Sequence, residues 1–259
     1  PPSSPPSPPL QPGSRYALSS SDLITALNDG AVSRIVLVAG TYEFDDDMCP
    51  DQGGSALCID RHVAIEAEVA GSVVLDAKGA RRVIYVSNAG RAELVGLNIT
   101  GGAAVYGGGI RINGSADLTD CNIHDNVAKN QGGTYWHEGG GLFISGTATL
   151  TNTNVFQNEA GWGGGGIYVS TGGEATLTNT NVYDNRAKWN GGGLYISGTA
   201  TLTNTNVYTN QASDYGGGLH IVGTATLTDT NVYANRADEG GGVYIASSGV
   251  ADFEGCNIH

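Results

Sequence analysis

The sequence has little charge, few cysteines and no long apolar run. Only 14% of its 259 residues are charged, and 12 basic against 25 acidic residues give a formal net charge of −13. No basic cluster stands out, so we expect no nucleic-acid partner and no anionic membrane partner. No apolar run is long enough to cross a bilayer, so we expect no membrane insertion. The length allows one elongated domain with a sizeable core.

The sequence has four cysteines, and two of them stand close together. Cys49 and Cys58 bracket the loop CPDQGGSALC and could close it as a disulfide in an oxidising compartment. Cys121 and Cys256 both precede Asn at the same phase of a repeat described below. They would lie several turns apart and cannot bridge, so we expect two buried small apolar side chains.

The chain begins PPSSPPSPPLQPGS, without a starting Met or a signal peptide. We interpret this as a removed leader or as an excised segment of a larger protein. Pro/Ser runs favour an extended polyproline II spacer, with a disordered linker as the alternative. Such leads and the two sequons agree with secretion, so we predict an extracellular or cell-surface glycoprotein. The predicted attachment residues are Asn98, Asn113, Pro1, Pro2, Pro5, Pro6, Pro8 and Pro9.

Glycine, at 41 residues, is abundant and periodic. Gly-Gly-Gly followed by an apolar residue recurs with successive spacings of 32, 25, 27, 25 and 24 residues. Asn followed by an apolar residue keeps the same period. The apolar residues of the first series are Ile110, Leu142, Ile167, Leu194, Leu219 and Val243. A repeat of this length implies one structural unit stacked on itself.

Within each unit the apolar residues alternate with a period of two, which favours strands. The unit Gly191 to Ala212 reads GGGLYISGTATLTNTNVYTNQA and divides into three short strands, LYIS, TATLT and NVYTN. We predict an all-β protein, a parallel β-helix with three-strand rungs of about 25 residues, stacked about 4.8 Å apart. Leu194, Ile196 and Leu202 should point inward. Asn210 should form an amide ladder with Asn126, Asn158, Asn185 and Asn235.

The N-terminal region has a different pattern. SSSDLITALNDG predicts a short capping helix, and RIVLVAGTYEF predicts a strand after it. The helix would cover the open end of the coil, where bare strand edges invite aggregation. The predicted divisions are a lead at 1–15, the cap helix and first strand at 16–48, and the β-helix at 49–259. Because the sequence stops at CNIH in mid-rung, we expect a segment of a longer protein or of a fibre.

Several segments together carry a family resemblance. LITALNDGAVSRIVLVAGTYEF, VVLDAKGARRVIYVSNAGRAELVGLNITGG and the repeats resemble the pectate-lyase-like right-handed β-helix superfamily. The Gly-rich motif and the Val-Tyr-x-Asn motif are most similar to the non-catalytic repeats of polymorphic outer-membrane proteins and related adhesins. This resemblance covers roughly residues 20–259. It implies the fold, and it implies a surface role by analogy with the adhesins.

Aromatic residues are only 7% of the chain, yet the pattern predicts three outward columns in the repeats. Two columns, one through Phe143 and Tyr195 and one through Phe156 and Tyr208, are expected to pack along the stack. The third lies beside the glycine runs, where we expect little to cover it. We predict that it binds carbohydrate or a partner protein. Its members are Tyr106, Trp136, Trp162, Trp189 and Tyr215.

The middle strand carries outward Thr-x-Thr pairs, among them Thr149/Thr151 and Thr201/Thr203. Their regular grid resembles the threonine faces of ice-binding β-solenoids, and threonine is also simply a good surface residue in strands. Asp117 at one end and Asp252 with Glu254 at the other interrupt the grid, and this favours the second interpretation.

We predict no catalytic residues. Lyases, hydrolases and epimerases of this fold need carboxylates gathered with Arg, Lys, His or Tyr, and the third-strand face repeats Asn and Tyr instead. His124 and Asp125 are sequence neighbours without support. In the 32-residue unit, His137 and Glu138 would point to opposite faces, and we expect a solvated loop there.

We predict no cofactor and no metal. A calcium ion at an acidic cluster is a weaker alternative to a solvated loop, since EF-hand spacing is absent. The residues of that cluster are Asp45, Asp46, Asp47 and Asp51.

These observations favour a non-catalytic structural or adhesive module of an extracellular, cell-surface or filament-forming protein. Its expected partners are copies of itself or neighbouring subunits of a filament or surface layer, with carbohydrate as a further possibility. The alternative is a polysaccharide-binding or polysaccharide-active protein of the lyase or epimerase type.

Overall fold

A computed structural model describes residues 11–49, 54–129 and 137–259. Those residues form one helix and 31 strands, arranged as four parallel sheets that wind together as a β-helix. The predicted glycan sites Pro1, Pro2, Pro5, Pro6, Pro8 and Pro9, together with Asp51 and Trp136, lie outside the described residues.

From Ser55 onward, each rung contributes one strand to each of three long sheets, as predicted. Sheet 1 contains the strands that follow the glycine runs: Ser55–Ile59, Arg82–Val86, Ile110–Ile112, Leu142–Ile144, Ile167–Val169, Leu194–Ile196, Leu219–Ile221 and Val243–Ile245. Sheet 2 comes next along the chain: Ser14–Ala17, Arg34–Leu37, His62–Ala67, Arg91–Val95, Ser115–Thr119, Thr147–Thr151, Glu174–Thr178, Thr199–Thr203, Thr224–Thr228 and Val250–Glu254.

Sheet 3 completes the three predicted faces. Its strands are Gly40–Glu43, Val73–Asp76, Leu97–Thr100, Asn122–His124, Asn154–Phe156, Asn181–Tyr183, Asn206–Tyr208, Asn231–Tyr233 and Asn257–Ile258. A fourth sheet of two-residue strands, which the sequence pattern did not indicate, closes four of the rungs. Its strands are Ala103–Ala104, Val127–Ala128, Glu159–Ala160 and Arg186–Ala187.

The core is a set of aliphatic columns along the axis of the coil. Leu194 and Leu219 are fully buried and pair in register on sheet 1, and Leu202 and Leu227 do the same on sheet 2. Each inward residue therefore stacks on its counterpart one rung away, as the alternation predicted. Burial of this continuous apolar column is the main source of stability for a solenoid.

The three glycines of each run are needed for two different reasons. Gly191 has φ +60°, a left-handed conformation that side chains with a Cβ adopt only at a cost. A Cβ on Gly192 would lie 2.5 Å from the carbonyl oxygen of Gly217, and one on Gly193 would lie 2.7 Å from that of Gly218. The second and third glycines therefore let neighbouring rungs approach each other.

The predicted inner asparagine ladder is confirmed. The Asn210 Nδ2 donates to the carbonyl of Val182 at 2.9 Å and to the Asn235 Oδ1 at 3.0 Å. The Asn185 Nδ2 donates to the Asn210 Oδ1 at 3.0 Å, and the pattern continues to Asn158 and Asn126. Each buried amide is satisfied only because the next rung repeats it.

The capping helix is confirmed at Ser20–Asn28. The Ser19 side chain accepts a hydrogen bond from the Asp22 backbone N–H at 3.2 Å, which is a standard N-cap. At the other end, the Arg61 guanidinium donates to the carbonyls of Leu27 and Asp29, both at 3.0 Å. Buried side chains of the helix join the main core at its N-terminal end.

Two predictions about the N-terminal region need correction. RIVLVAGTYEF is not one strand, because the chain turns between Arg34–Leu37 on sheet 2 and Gly40–Glu43 on sheet 3. The strand Ser14–Ala17 pairs with Arg34–Leu37, so the coil begins inside the predicted lead at 1–15. The β-helix thus includes the segment that we assigned to a separate cap region.

The cysteines occupy two kinds of position. Cys49 and Cys58 are joined by a disulfide across their short loop. Cys121 is fully buried and Cys256 is half-buried, and both thiols donate to carbonyls of the preceding rung, as the buried Thr153 hydroxyl does. Burial raises the pKa of the Cys121 thiol to about 11, so that it stays protonated.

Candidate functional site

Sheet 3 carries an outer asparagine ladder, the column from Asn98 to Asn231. The Asn122 Nδ2 donates to the Asn98 Oδ1 at 2.9 Å, and the same bond of 2.9 Å recurs at every further step. The remaining members are Asn154, Asn181, Asn206 and Asn231. These outward amides are engaged with one another rather than offered to a ligand.

The side-chain amides of the two predicted N-glycan sites, Asn98 and Asn113, are hydrogen-bonded within the chain. The Asn98 Nδ2, the atom that a glycan would occupy, donates to the carbonyls of Gly71 and Val73, both at 2.9 Å. The Asn113 Nδ2 donates to the Tyr85 hydroxyl at 3.2 Å. Glycosylation at either residue stays a prediction, and the geometry disfavours it more strongly at Asn98, where both amide hydrogens are used.

Two residues beyond this ladder, sheet 3 carries an aromatic stack made of His124, Phe156, Tyr183, Tyr208, Tyr233 and His259. Ring centroids of Tyr183 and Tyr208 lie 5.0 Å apart with an interplanar angle of 5°. Each ring therefore covers the faces of its neighbours and exposes its edge. A sugar ring, which needs an open aromatic face, cannot lie flat along this column.

The aromatic column of sheet 1 is buried rather than exposed. Phe143, Tyr168, Tyr195 and His220 retain only 9%, 8%, 7% and 6% of their accessible surface. Residues before the glycine runs fold over them, so that the ring centroid of Trp162 lies 4.9 Å from that of Tyr195. We call the cluster around Phe143, Tyr168 and Tyr195 the second aromatic core. It is the second core of the protein, and it lies outside the coil and separate from the aliphatic main core.

The prediction of a single third aromatic column is wrong, because its described residues lie in two columns. Bridges place Tyr106 and Tyr215 in one column with Glu138, Gly163, Asn190 and Glu239. Trp162 and Trp189 lie one position earlier, since the Trp189 backbone N–H donates to the Trp162 carbonyl at 3.1 Å. The sequence contains this signal, because both tryptophans precede the left-handed glycine by two residues and both tyrosines precede it by one.

The members of that set differ in what covers them. The Tyr106 ring packs on Phe143 at 5.2 Å and the Tyr215 ring on Tyr244 at 4.5 Å, so neither is the uncovered platform that we expected. Trp189 keeps 43% of its surface exposed, with the Lys188 Nζ 5.5 Å from its ring centroid. Among the described members, Trp189 best fits a contact surface.

Glu138 lies beside the second aromatic core rather than in a fully solvated loop, which corrects that expectation. Its carboxyl is hydrogen-bonded to the Tyr168 hydroxyl, and burial raises its pKa to about 7. Burial, followed by the nearby Glu138 charge, raises the pKa of Tyr168 as well. Burial lowers the pKa of His220 to about 4, so that this imidazole is neutral at physiological pH.

A buried arginine closes the N-terminal end of the second aromatic core. The Arg82 side chain is 2% exposed and donates to the Tyr106 carbonyl at 2.9 Å and to the Ser55 hydroxyl at 2.7 Å. Burial lowers its pKa to about 10. The Arg111 guanidinium lies 5.7 Å from the Tyr106 ring centroid and 5.8 Å from that of Phe143. Both guanidinium groups therefore contact residues of this chain around Tyr106.

Sheet 2 assembles a charged cluster that the sequence analysis missed. The His62 Nε2 lies 2.8 Å from the Glu93 Oε1, and Arg91 Nη2 lies 3.7 Å from Glu93 Oε1 and 3.5 Å from Asp117 Oδ2. These residues come from three successive rungs, of which only the third, the rung of Asp117, begins with a glycine run of the regular repeat. The register of Ala64, Glu93 and Asp117 across the sheet brings them together.

The charged cluster, His62, Arg91, Glu93 and Asp117, is the nearest approach to an acid–base site. Its side chains lie on the open sheet face, with the His62 side chain 58% exposed and that of Arg91 56% exposed. An imidazole paired with a carboxylate can accept a proton, and a neighbouring guanidinium can bind an anion. The arrangement therefore has the chemistry for acid–base catalysis.

Further along sheet 2 lies the threonine array, three outward columns that cross four rungs. Its residues are Thr147, Thr149, Thr151, Thr176, Thr178, Thr199, Thr201, Thr203, Thr224, Thr226 and Thr228, with Glu174 in the remaining position. In the described chain, none of these hydroxyls hydrogen-bonds to another protein group. The buried Thr205 hydroxyl, by contrast, donates to the Thr203 carbonyl at 3.1 Å.

Two residues of the acidic cluster that we gave as a weaker calcium alternative form ion pairs with cations. Asp45 Oδ1 lies 3.3 Å from Lys78 Nζ, and Asp47 Oδ1 lies 3.1 Å from Arg81 Nη1. Across residues 11–49, 54–129 and 137–259, no group of three His, Cys, Asp or Glu side chains is placed to hold a metal ion. Over the same residues, no helix is long and apolar enough to span a membrane.

The coiled parallel sheets agree with a known family. The family model described as a right-handed β-helix region matches residues 108–259. This chain belongs to that family. The match begins at the second glycine of the first regular run, so the family signal and the repeat coincide in this β-helix protein. No curated protein matches the chain.

Solved structures show the same fold at low identity. The pectate lyase Pel9A superposes with a TM-score of 0.57 at 13% identity, covering 85% of this chain and 63% of the lyase. A family PL6 alginate lyase, AlyGC, superposes with a TM-score of 0.51 at 14% identity, covering 95% of this chain and 39% of the lyase. The β-helix protein therefore spans less than two thirds of either enzyme, and the likeness establishes the fold alone.

Proposed function

We propose that this chain is a non-catalytic structural module of an extracellular protein, whose uniform faces hold neighbouring molecules in place. The observation that carries the proposal is the outer asparagine ladder together with the aromatic stack on sheet 3. Over successive rungs, outward side chains that could do chemistry are instead bonded to or stacked on copies of themselves.

Repetition itself supports a structural role. An active site brings unlike groups together at one place, whereas each of these columns repeats one residue type along the axis. Every rung then offers the same surface as the next, which suits a spacer or an adhesive face. Stability grows with each stacked rung, since each interface adds its own contribution.

Three features support an extracellular location. The Cys49–Cys58 disulfide is of the kind that persists in oxidising compartments. The Pro/Ser lead and the Asn113 sequon offer attachment positions for glycans. The expected partners are copies of the chain, neighbouring subunits of a filament or surface layer, or carbohydrate. Trp189 is the residue that we assign to such a contact.

The test is an intact mass of the native material with peptide mapping of residues 1–14, Asn98 and Asn113, combined with a turnover assay. We expect glycans on the lead and no release of unsaturated products from pectate or alginate. A bare mass would contradict the glycoprotein part of the proposal. Sustained turnover that disappears in Glu93→Gln would contradict the non-catalytic part.

A second function, a polysaccharide-active enzyme, is favoured by the charged cluster of sheet 2 and by the lyase-like fold. In that case His62 and Glu93 would act as the acid–base pair, and Arg91 would bind an acidic sugar. The matched control for Glu93→Gln is Glu68→Gln, a change at an exposed glutamate that follows the sheet 2 strand His62–Ala67 and is absent from the cluster. Loss of turnover in the first variant only would establish the enzyme.

A further inference from the structure

The threonine array differs from the two outward columns of sheet 3. The outer asparagine ladder and the aromatic stack are saturated by contacts within the chain. The array consists of hydroxyl and methyl groups with no protein partner for the hydroxyls among the described residues. Its hydrogen-bonding capacity is therefore free for a ligand outside the chain.

The array is regular in both directions of the sheet. Thr149, Thr176, Thr201 and Thr226 pair in strict register from rung to rung, about 4.8 Å apart. Along each strand, alternate residues such as Thr201 and Thr203 point to the same face, roughly 6.6 Å apart. A partner that uses all of these groups must itself repeat in two dimensions.

Charge further restricts the partner. The chain as a whole is strongly acidic, yet four consecutive rungs of this face carry Glu174 as their only ionisable outward residue. Asp117 lies at one border, and Asp252 with Glu254 at the other, in register with the array rather than inside it. A neutral face between charged borders fits a neutral partner.

Two neutral, periodic partners meet these conditions, the surface of ice and a crystalline polysaccharide. Sugar rings are held by open aromatic faces and by planar polar groups, and the array has neither. Threonine methyl groups order water beside them while the hydroxyls bond to it, and bonding to an ordered water layer carries a small entropic cost. We propose that the threonine array binds ice.

This inference is independent of the proposed structural role, because it concerns sheet 2 and not sheet 3. The test uses the full chain with a fluorescent label and measures its partition into slowly growing ice. Thr201→Lys places a long charged side chain at the centre of the array. Gln211→Lys adds the same charge on another face, at an exposed residue outside the array.

We expect the wild-type chain and Gln211→Lys to enter the ice, and Thr201→Lys to reduce the enrichment about tenfold, the factor equivalent to 1.4 kcal/mol. Glu174→Thr completes the column of Thr147, Thr199 and Thr224 and should raise the enrichment of the chain in ice. Circular dichroism at the same temperature verifies that each variant is folded. Exclusion of the wild-type chain from ice overturns the proposal, as does equal enrichment of Thr201→Lys. Exclusion from ice with Thr201-dependent binding to crystalline cellulose also overturns it, and assigns the array to a polysaccharide.

Discussion

The N-terminal rungs and the regular repeats differ in the side-chain interactions that join neighbouring rungs. In the N-terminal rungs, from Arg34 to Asp125, ion pairs join unlike side chains. From Asn154 onward, the outward asparagines of sheet 3 are hydrogen-bonded to identical residues of the next rung. In the C-terminal rungs, hydrogen bonds between identical residues replace ion pairs. The contrast indicates that rung-to-rung repetition, rather than surface electrostatics, stabilises the C-terminal part.

The most damaging change to the repeats should be Gly192→Val. Its side chain would meet the Gly217 carbonyl of the next rung, where a Cβ alone comes within 2.5 Å. We expect a loss of about 3 kcal/mol or more in the free energy of unfolding, measured by denaturant titration. Gly30→Ala is the control, since a Cβ there meets nothing within 4 Å. Equal stability of the two variants would contradict close rung packing.

The next largest effect should come from Asn210→Ala in the inner asparagine ladder. It removes the acceptor of the Asn185 backbone N–H and of its Nδ2, both at 3.0 Å, and leaves two buried donors unpaired. We expect a loss of about 2–3 kcal/mol by thermal or chemical unfolding. The adjacent exposed Gln211→Ala should change the stability little. A similar small change in both would mean that the ladder does not bind the rungs together.

A smaller effect is expected from the aromatic stack. Tyr208→Ala removes ring contacts to Tyr183 and Tyr233, each at 5.0 Å between centroids. We expect a loss of about 1–2 kcal/mol, because each stacked pair contributes about 0.5–1.5 kcal/mol beyond its buried area. Tyr208→Phe keeps the ring and should retain nearly all of the stability. If the phenylalanine variant lost as much as the alanine variant, the hydroxyl and not the stack would be responsible.

The second aromatic core should make stability depend on pH through Glu138. Burial raises the pKa of the Glu138 carboxyl in the folded state to about 7. Between the ordinary pKa of 4.5 and pH 7, the folded state therefore binds more protons than the unfolded state. The stabilisation is present at low pH and is lost as pH rises through 7. We expect about 1 kcal/mol between pH 5 and pH 8, allowing for partial exposure.

Glu138→Gln should abolish this pH dependence, whereas the exposed Glu159→Gln should leave it in place. The measurement is the free energy of unfolding at several pH values between 4 and 8. An unchanged slope in Glu138→Gln would show that another group titrates.

The smallest effect should arise in the N-terminal rungs, at the ion pair of Arg34 and Glu66. Their side chains lie 2.6 Å apart and are 42% and 21% exposed. We expect Glu66→Gln to cost less than about 1 kcal/mol and the difference to shrink in high salt. A loss as large as that of Asn210→Ala would remove the contrast between the two regions.

Much of the fold was predictable from the period of the repeat. The spacing of Leu194, Leu219 and Val243 predicted the rungs, and alternation predicted which residues face the core. The inner asparagine ladder followed because a buried amide must be paired, and only the next rung could supply the partner. The predicted single strand at RIVLVAGTYEF was wrong because the turn before Gly40 carries no repeat to mark it.

The candidate site was less predictable. His62, Glu93 and Asp117 come from rungs without a shared motif, so only the register of sheet 2 brings them together. The prediction placed Trp162 and Tyr106 in one column, although they differ by one position in the rung-to-rung register. The glycine run before Ile167 has four residues instead of three, and this extra glycine shifts Trp162 by one position.

The architecture follows from the repeat in the sequence, because a two-residue alternation inside a period of about 25 residues favours short strands that bury their apolar side against the next turn. The repeat also determined the columns, since each turn must stack on a nearly identical turn. Which of these columns are covered follows from the three-dimensional packing. Trp162 packs over Tyr195, the Glu138 carboxyl is partly buried, and the hydroxyls of the threonine array have no hydrogen-bond partner among the described residues. Those outcomes depend on how side chains turn across the corners between sheets, and no periodicity encodes that.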